Sequence, residues 1–206
     1  MGRRATAART PLTMLESTLA RIPLPSPDEM TPEQRRVYES IVNGPRGTLV
    51  GPLRAALHRP ELAEKWQQLG ELLRYRTSLP PQISEIAILV TARRWRCQVE
   101  WHMHAIAAAQ AGIAPTVVAA IKSGRRPLDA DAKALAVYDY AVDLTDGGHV
   151  KPATYDAVLR DWGVAGIVEL TALIGYYTMV AMTLNAHEIP LPAGAEPPFP
   201  TVADQK

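Results

Sequence analysis

The chain has 206 residues, of which 47% are hydrophobic, so it is long and apolar enough to bury the core of one large domain. The formal net charge is +1, from 22 basic and 21 acidic residues, which excludes the strong overall field that collects nucleic acid or an anionic membrane surface. We therefore expect small molecules or protein partners, with a small-molecule substrate as the leading choice, and no nucleic acid and no membrane.

The first segment of the chain predicts where the folded domain begins. Residues 1–21 carry four arginines and one glutamate and lack the continuous apolar run of a secretory signal peptide. The single cysteine, Cys97, cannot close an internal disulfide, which favours a cytoplasmic protein. We predict a disordered leader over residues 1–21, a helical domain over residues 22–195 and a flexible tail over residues 196–206.

Strand signals are nearly absent, because the chain has one phenylalanine and no sustained alternation of polar and apolar residues. Thr31, Pro32 and Gln34 have the spacing of an N-cap, a first-turn proline and a capping box. We predict an all-α fold of about eight helices. Beyond the Thr31 helix, which Gly44 ends, short helical pieces are expected near residues 53–58, and helices near residues 60–76, 81–94, 97–111, 114–123, 130–146, 152–162 and 164–187.

The last of these segments is apolar and long enough to span a bilayer, but it contains Glu169 and Asn185. A buried core helix explains this composition better. The tyrosines and methionines of the segment suit either the core or an interface between copies of the chain, and the core is the default.

One short segment concentrates the reactive side chains. Cys97, Glu100 and His104 fall within an arc of about 60° on one helix, so thiol, carboxylate and imidazole share one stripe. Glu85 precedes Cys97 by twelve residues, in an apolar helix that should bury it. A buried glutamate with a raised pKa, beside an imidazole, is a usable general acid/base pair at neutral pH.

Two other interpretations of this stripe remain open. A helix N-terminus and nearby arginines would favour the thiolate of Cys97, whereas Glu100 and Glu85 would oppose it. Alternatively, Cys97 is a small buried hydrophobe and Glu100 forms an ordinary helical pair with His104. A metal site is not predicted, because Glu100, His102 and His104 do not share one face.

The spacing of Glu85, Cys97, Glu100 and His104, followed by an alanine-rich helix, resembles the carboxymuconolactone decarboxylase family, which includes the alkylhydroperoxidase D-type enzymes. The "GPRG" loop, the run "LPPQISEIAILVTARRWRCQVEWHMHA" and the late helix "VELTALIGYYTMVAMTLNA" are similar to the longer members, so the resemblance covers about residues 22–195. It implies an alkylhydroperoxidase D-like helical bundle that assembles as a homo-oligomer, a trimer or a hexamer.

The resemblance also implies roles for single residues. In the peroxidase branch the site is a glutamate, a Cys-x-x-Cys pair and a histidine, to which Glu85, Cys97 and His104 correspond. Glu100 stands in the position of the second cysteine, and no other thiol exists in the chain to resolve a sulfenic acid. Decarboxylase-type members work without the redox pair and without a metal or organic cofactor, and the chain is closer to that branch.

These observations lead to three hypotheses. The first is a cofactor-independent acid/base enzyme that decarboxylates or isomerises a small carboxylated or lactone-like metabolite, with Glu85, Cys97, Glu100 and His104 as catalytic residues. Arg46 and Arg93 are candidates for anchoring a substrate carboxylate. The second hypothesis is a one-cysteine peroxidase or redox protein that uses Cys97 with an external thiol. The third is a non-catalytic helical oligomer that binds a ligand.

Overall fold

The computed structural model describes residues 20–49 and 51–200, and over these residues the protein is all-helical, as predicted. A single 3-10 turn, Pro27–Glu29, precedes eight α-helices. The helices are α1 (Pro32–Val42), α2 (Gly51–Ala56), α3 (Pro60–Tyr75), α4 (Pro81–Arg94), α5 (Gln98–Gln110), α6 (Pro115–Lys122), α7 (Ala132–Gly147) and α8 (Pro152–Ala186).

These helices begin at the capping residues and first-turn prolines that the sequence predicts. The Thr31 side chain accepts a hydrogen bond from the backbone N–H of Gln34, and the Gln34 side chain accepts one from the backbone N–H of Thr31, which completes the capping box of α1. Asp131 caps α7 by accepting from the backbone N–H of Ala134 at 2.8 Å. A proline in the first turn opens α1, α3, α4, α6 and α8, where its missing N–H costs nothing.

Helix α4 lies at the centre of the molecule. It packs against α5, α6, α7 and α8, and every residue from Ile83 to Ala92 is buried. A helix that is apolar on all sides can only be stable when other helices surround it. Glu85 is carried into the core by this helix, and only 8% of the residue is exposed.

Helix α8 contains the break predicted between residues 162 and 164. Gly163 has φ 67° and ψ −177°, a conformation that favours glycine and interrupts the helical backbone. Among the described residues this is the one helix long and apolar enough to cross a membrane. Half of its most apolar 18-residue stretch is buried against the rest of the protein. It packs against α2, α3, α4, α5 and α7, which supports the interpretation as a core helix.

The segment after α8 returns over the bundle and docks on α5. Phe199 is buried and packs edge-on against Trp101 with ring centroids 5.2 Å apart. The Gln98 side chain donates to the Phe199 carbonyl at 2.8 Å and accepts from its N–H at 2.9 Å. Residues 196–200 were expected in a flexible tail, but these contacts dock them on the domain. The rest of that tail and most of the expected leader lie outside the described residues.

Candidate active site

A cavity of about 340 Å³ opens between the loop after α1 and helices α2, α3, α5 and α8. Its walls are largely apolar, and the segment after α8 covers part of it through Ile189, Pro190 and Pro192. The polar side chains that line it come from distant parts of the chain: Arg46, Thr48, Arg54, Arg74, Tyr75, Glu100, His104, Tyr176 and Tyr177. An apolar pocket with a few convergent polar groups is the usual form of a small-molecule site.

His104 of α5 is paired with Glu85 of α4 inside the core. Nδ1 of His104 lies 2.7 Å from Oε2 of Glu85, and both side chains are at least nine-tenths buried. Burial lowers the pKa of His104, and the bond to Glu85 opposes this shift. The ring is therefore neutral at neutral pH, and the Glu85 carboxylate assigns the ring proton to Nδ1. Nε2 is left with a lone pair.

Arg74 and Tyr177 surround the other side of the His104 ring. Nη1 of Arg74 lies 3.4 Å from Nε2 of His104 and donates to the Tyr177 hydroxyl at 3.2 Å. The rings of His104 and Tyr177 meet edge to face, with centroids 4.8 Å apart. Burial raises the pKa of Tyr177, so its hydroxyl remains protonated. Helices α3 and α8 thus complete the environment of a histidine that α5 supplies.

Glu100 lies one turn before His104 on α5 and has a different environment. It is 2% exposed, and neither carboxyl oxygen has a hydrogen-bond partner within the part of the chain that the structure describes. Burial raises the pKa of Glu100 well above its usual range. The side chain therefore favours the neutral acid, which holds a proton at the cavity wall.

Cys97 is the N-cap residue of α5 and is completely buried. Burial, with a smaller contribution from the charge of Glu100, raises the pKa of its thiol to about 12, although the backbone N–H groups of Val99 and Glu100 oppose the shift. The sequence left open whether helix dipole and arginines would favour the thiolate, and the buried position decides against it. Cys97 also does not line the cavity that holds Glu100 and His104.

Arg46 reaches the cavity from the loop after α1, as a substrate-binding residue would. Burial raises the pKa of the Tyr176 hydroxyl, and the nearby Arg46 guanidinium opposes this shift. Both groups lie against α3 where that helix has Gly70, since a Cβ at this position would stand 2.1 Å from the Tyr176 hydroxyl and 2.9 Å from Arg46. The absence of a side chain at Gly70 lets the two polar groups approach the helix this closely.

Arg93, the second arginine expected to anchor a substrate, lies elsewhere. It does not line the cavity, and its guanidinium packs where a side chain of Gly124 would extend, next to α6. Arg93 stands at the opposite end of α4 from the glutamate that pairs with His104, so the rise of 1.5 Å per residue carries it away from the site. The proposed site therefore does not include Arg93.

Sequence reasoning did not single out Arg74 and Tyr177. Each lies on a helix remote in sequence from the motif, and only packing brings them to His104. Tyr177 was considered as core or interface, and at 4% exposure it belongs to the core. No group of three histidine, cysteine or acidic side chains capable of holding a metal ion occurs within residues 20–49 and 51–200.

Comparison with known proteins agrees with the resemblance carried by the motif. Residues 60–143 match the model of the carboxymuconolactone decarboxylase family, a segment that contains Glu85, Cys97, Glu100 and His104. No curated protein sequence matches the chain.

Solved structures are similar over most of the chain. The alkylhydroperoxidase AhpD core of an uncharacterized peroxidase-related protein from Ralstonia eutropha JMP134 has a TM-score of 0.69 at 16% identity, covering 84% of this chain and 92% of that one. A peroxidase-related protein from Silicibacter sp. TM1040 has a TM-score of 0.71 at 17% identity, covering 85% and 93%. A cysteine-to-alanine variant of the debrominase Bmp8, in complex with 2,3,4-tribromopyrrole, has a TM-score of 0.64 at 13% identity, covering 79% and 87%. At these identities the likeness confirms the expected alkylhydroperoxidase D-like fold.

Proposed function

We propose, from the match of residues 60–143 to the carboxymuconolactone decarboxylase family, that this protein is an enzyme whose own side chains supply an acid and a base. Its substrate is a small carboxylated or lactone-like metabolite, and its reaction is a decarboxylation or an isomerisation. The observation that carries this proposal is the unpartnered carboxyl group of Glu100 at the cavity wall, one helical turn from a neutral His104.

The two side chains have complementary protonation states. Glu100 favours the acid form because it is buried without a partner, and His104 favours the neutral imidazole because burial lowers its pKa. One group can give a proton while the other can take one, at the same pH. This is the requirement for moving a proton between two positions of one substrate.

Protons from Glu100, His104 and solvent balance either reaction. In a decarboxylation the C–C bond to the carboxylate breaks, carbon dioxide leaves, and the electron pair that remains on carbon takes the proton of Glu100. A proton from solvent then restores Glu100. In an isomerisation His104 removes a proton from one carbon through Nε2, Glu100 delivers a proton to another, and transfer of the proton from the imidazolium to the Glu100 carboxylate returns both to their starting states.

The remaining site residues support this pair. Glu85 holds the ring orientation and tautomer of His104 through its bond to Nδ1, so that Nε2 can act as the base. Arg46 supplies a guanidinium for a substrate carboxylate. Cys97 fills the core beneath Glu100, and its neutral thiol is an auxiliary to the acid/base pair.

The one-cysteine peroxidase receives no support from this geometry. A peroxidatic cysteine must meet peroxide as a thiolate, whereas Cys97 is buried and has a pKa of about 12.

A panel of carboxylated γ-lactones and unsaturated dicarboxylic acids, incubated with the protein in D₂O and followed by NMR, would detect carbon dioxide loss or deuterium incorporation at carbon. Glu100→Gln and His104→Gln should each lower the rate of any reacting member about a hundredfold or more, because each removes one half of the proton transfer. Glu33→Gln, an exposed change on α1, is the control. Full turnover by folded Glu100→Gln and His104→Gln would refute the proposal. A panel without any reacting member would favour the non-catalytic ligand-binding hypothesis.

We also propose that the protein assembles as a homo-oligomer. Large apolar side chains are exposed on α3, α5 and α8, among them Leu62, Ile106 and Val164. Such surface favours association when it forms a contiguous patch. The molar mass in solution, measured by light scattering, tests this directly, and a monomer at micromolar concentration would contradict it.

A further inference from the structure

In the structure, the nitrogen atom that acts as the base in the proposed reaction already has a hydrogen-bond donor beside it. Nε2 of His104 holds the lone pair, and Nη1 of Arg74 faces it at 3.4 Å. A guanidinium has only donors, so this contact places an N–H of Arg74 toward the lone pair that would take a proton. While Arg74 remains there, its positive charge and its hydrogen both oppose protonation of His104.

Arg74 forms no salt bridge with a carboxylate among the described residues, and Glu85, whose charge acts on it, is hydrogen-bonded to His104. The polar contacts of Arg74 are the imidazole of His104 and the hydroxyl of Tyr177, both neutral, and the guanidinium lies 5.8 Å from the ring centroid of Tyr75. The residue is solvent-exposed in part and lines the cavity, so a ligand can reach it. A ligand carboxylate would be a stronger partner than a neutral nitrogen, because it can accept two charge-assisted hydrogen bonds from the planar guanidinium.

We propose that Arg74 is an anion-operated gate on His104: a ligand carboxylate entering the cavity pairs with Arg74, draws its guanidinium from Nε2, and frees that nitrogen to accept a proton. The gate rests on the proposed function, since it regulates the base of that reaction. It restricts the chemistry to anionic ligands. A neutral molecule of the same shape fits the apolar walls but leaves the base covered.

The charges around His104 give this gate a measurable consequence. The titratable or charged groups around the ring are Arg46 from the loop after α1, Arg74 from α3, Glu85 from α4, Glu100 from α5 and Tyr177 from α8. Arg54 of α2 and Tyr176 of α8 line the same cavity. Burial lowers the pKa of His104, Glu85 raises it, and the charges of Arg74 and Arg46 lower it further. An anion that neutralises Arg74 therefore moves the His104 titration upward in pH.

The experiment is an NMR pH titration of protein labelled with ¹³C-histidine, in which the His104→Gln variant assigns the His104 signal. Benzoate is the anionic probe and benzamide its neutral counterpart of nearly the same shape. In the wild-type protein benzoate should shift the His104 midpoint upward, and benzamide should not. In Arg74→Met the midpoint should already be higher without ligand. Benzoate should bind this variant about tenfold more weakly, and any shift that it still causes through Arg46 should be smaller than in the wild-type protein.

Two further variants keep the test decisive. Arg74→Lys retains the charge and should retain part of the benzoate response even if Arg74→Met folds poorly. Arg126→Gln removes an arginine that pairs with Asp139 away from the cavity, and it should behave as wild type. The proposal is overturned if benzoate does not bind the wild-type protein, if it binds without moving the His104 titration, or if Arg74→Met responds as wild type does. Because this experiment measures a proton equilibrium without turnover, an intact gate in a protein that lacks turnover would refute the proposed function alone.

Discussion

The first turn of α5, taken together with its N-cap residue Cys97, and the second turn hold buried titratable side chains in opposite circumstances. In the first turn, Cys97 and Glu100 have no charged partner, and burial raises the pKa of both. In the second turn, His104 is enclosed by Glu85, Arg74 and Tyr177. A buried titratable group without a hydrogen-bond partner stays in its neutral form. A buried group that has hydrogen-bond partners can lie beside a charged side chain. The first turn therefore holds a proton on Glu100, and the second turn holds His104 in the neutral form that can accept one.

The largest expected effect concerns the thiol of the first turn. With a pKa raised to about 12, Cys97 should have about a thousandfold less thiolate than a free cysteine at neutral pH. Modification by iodoacetamide in the folded protein should be slower than in urea-unfolded protein by at least that factor, since burial also restricts access. Rapid modification of the folded protein, or an oxidised Cys97 after mild peroxide treatment, would contradict the neutral first turn and revive the peroxidase hypothesis.

The partnered and unpartnered glutamates should differ in what they contribute to stability. Glu85→Leu leaves Nδ1 of His104 buried without its acceptor and should cost about 3 kcal/mol of unfolding free energy. Glu100→Leu is the matched change, and it should leave stability unchanged or increase it, because no hydrogen bond is lost. Urea unfolding of both variants at pH 7 measures the difference. Equal losses would mean that Glu100 has a partner after all.

One added methyl group at Gly70 would disrupt the close packing of Tyr176 and Arg46 against α3. Gly70→Ala places a Cβ 2.1 Å from the Tyr176 hydroxyl, so Tyr176 and Arg46 must shift, at a cost of about 2 kcal/mol. The control is Gly175→Ala on α8, where nothing lies within 4 Å of the added Cβ and the helix should gain up to about 1 kcal/mol. Thermal unfolding of the two variants measures the difference in their stability. A Gly70→Ala variant as stable as its control would show that Tyr176 and Arg46 move freely.

The smallest effect, taken per pH unit, is the pH dependence that Glu100 imposes on the free energy of unfolding. Its pKa is raised in the folded state, so folded protein holds a proton that unfolded protein releases above about pH 4.5. Stability is therefore fully present below that pH and falls as the pH rises toward the raised pKa, by up to about 1.4 kcal/mol per pH unit. Glu100→Gln should remove this slope from urea unfolding measured at several pH values. A wild-type slope that persists in the variant would exclude Glu100 as its source.

Much of the fold could be predicted because its signals are local. The capping box at Thr31, the first-turn prolines and Gly163 act on their own segments of backbone, so the helices begin and break where the sequence indicates. The stripe of Cys97, Glu100 and His104 is equally local, because helical geometry alone puts these residues on one side of α5. Glu85 could be added from its apolar helix and from the family resemblance.

What the sequence by itself determined is which side chains α5 and α4 offer to the interior. The tertiary structure decided which of them have partners. It paired His104 with Glu85 rather than with Glu100, buried Cys97 away from the cavity, took Arg93 out of the site and brought in Arg74. These outcomes depend on the packing of α3 and α8 around α5, and no helical periodicity encodes which groups meet there. Because burial and partners fix protonation states, the acid/base character of this site belongs to the fold.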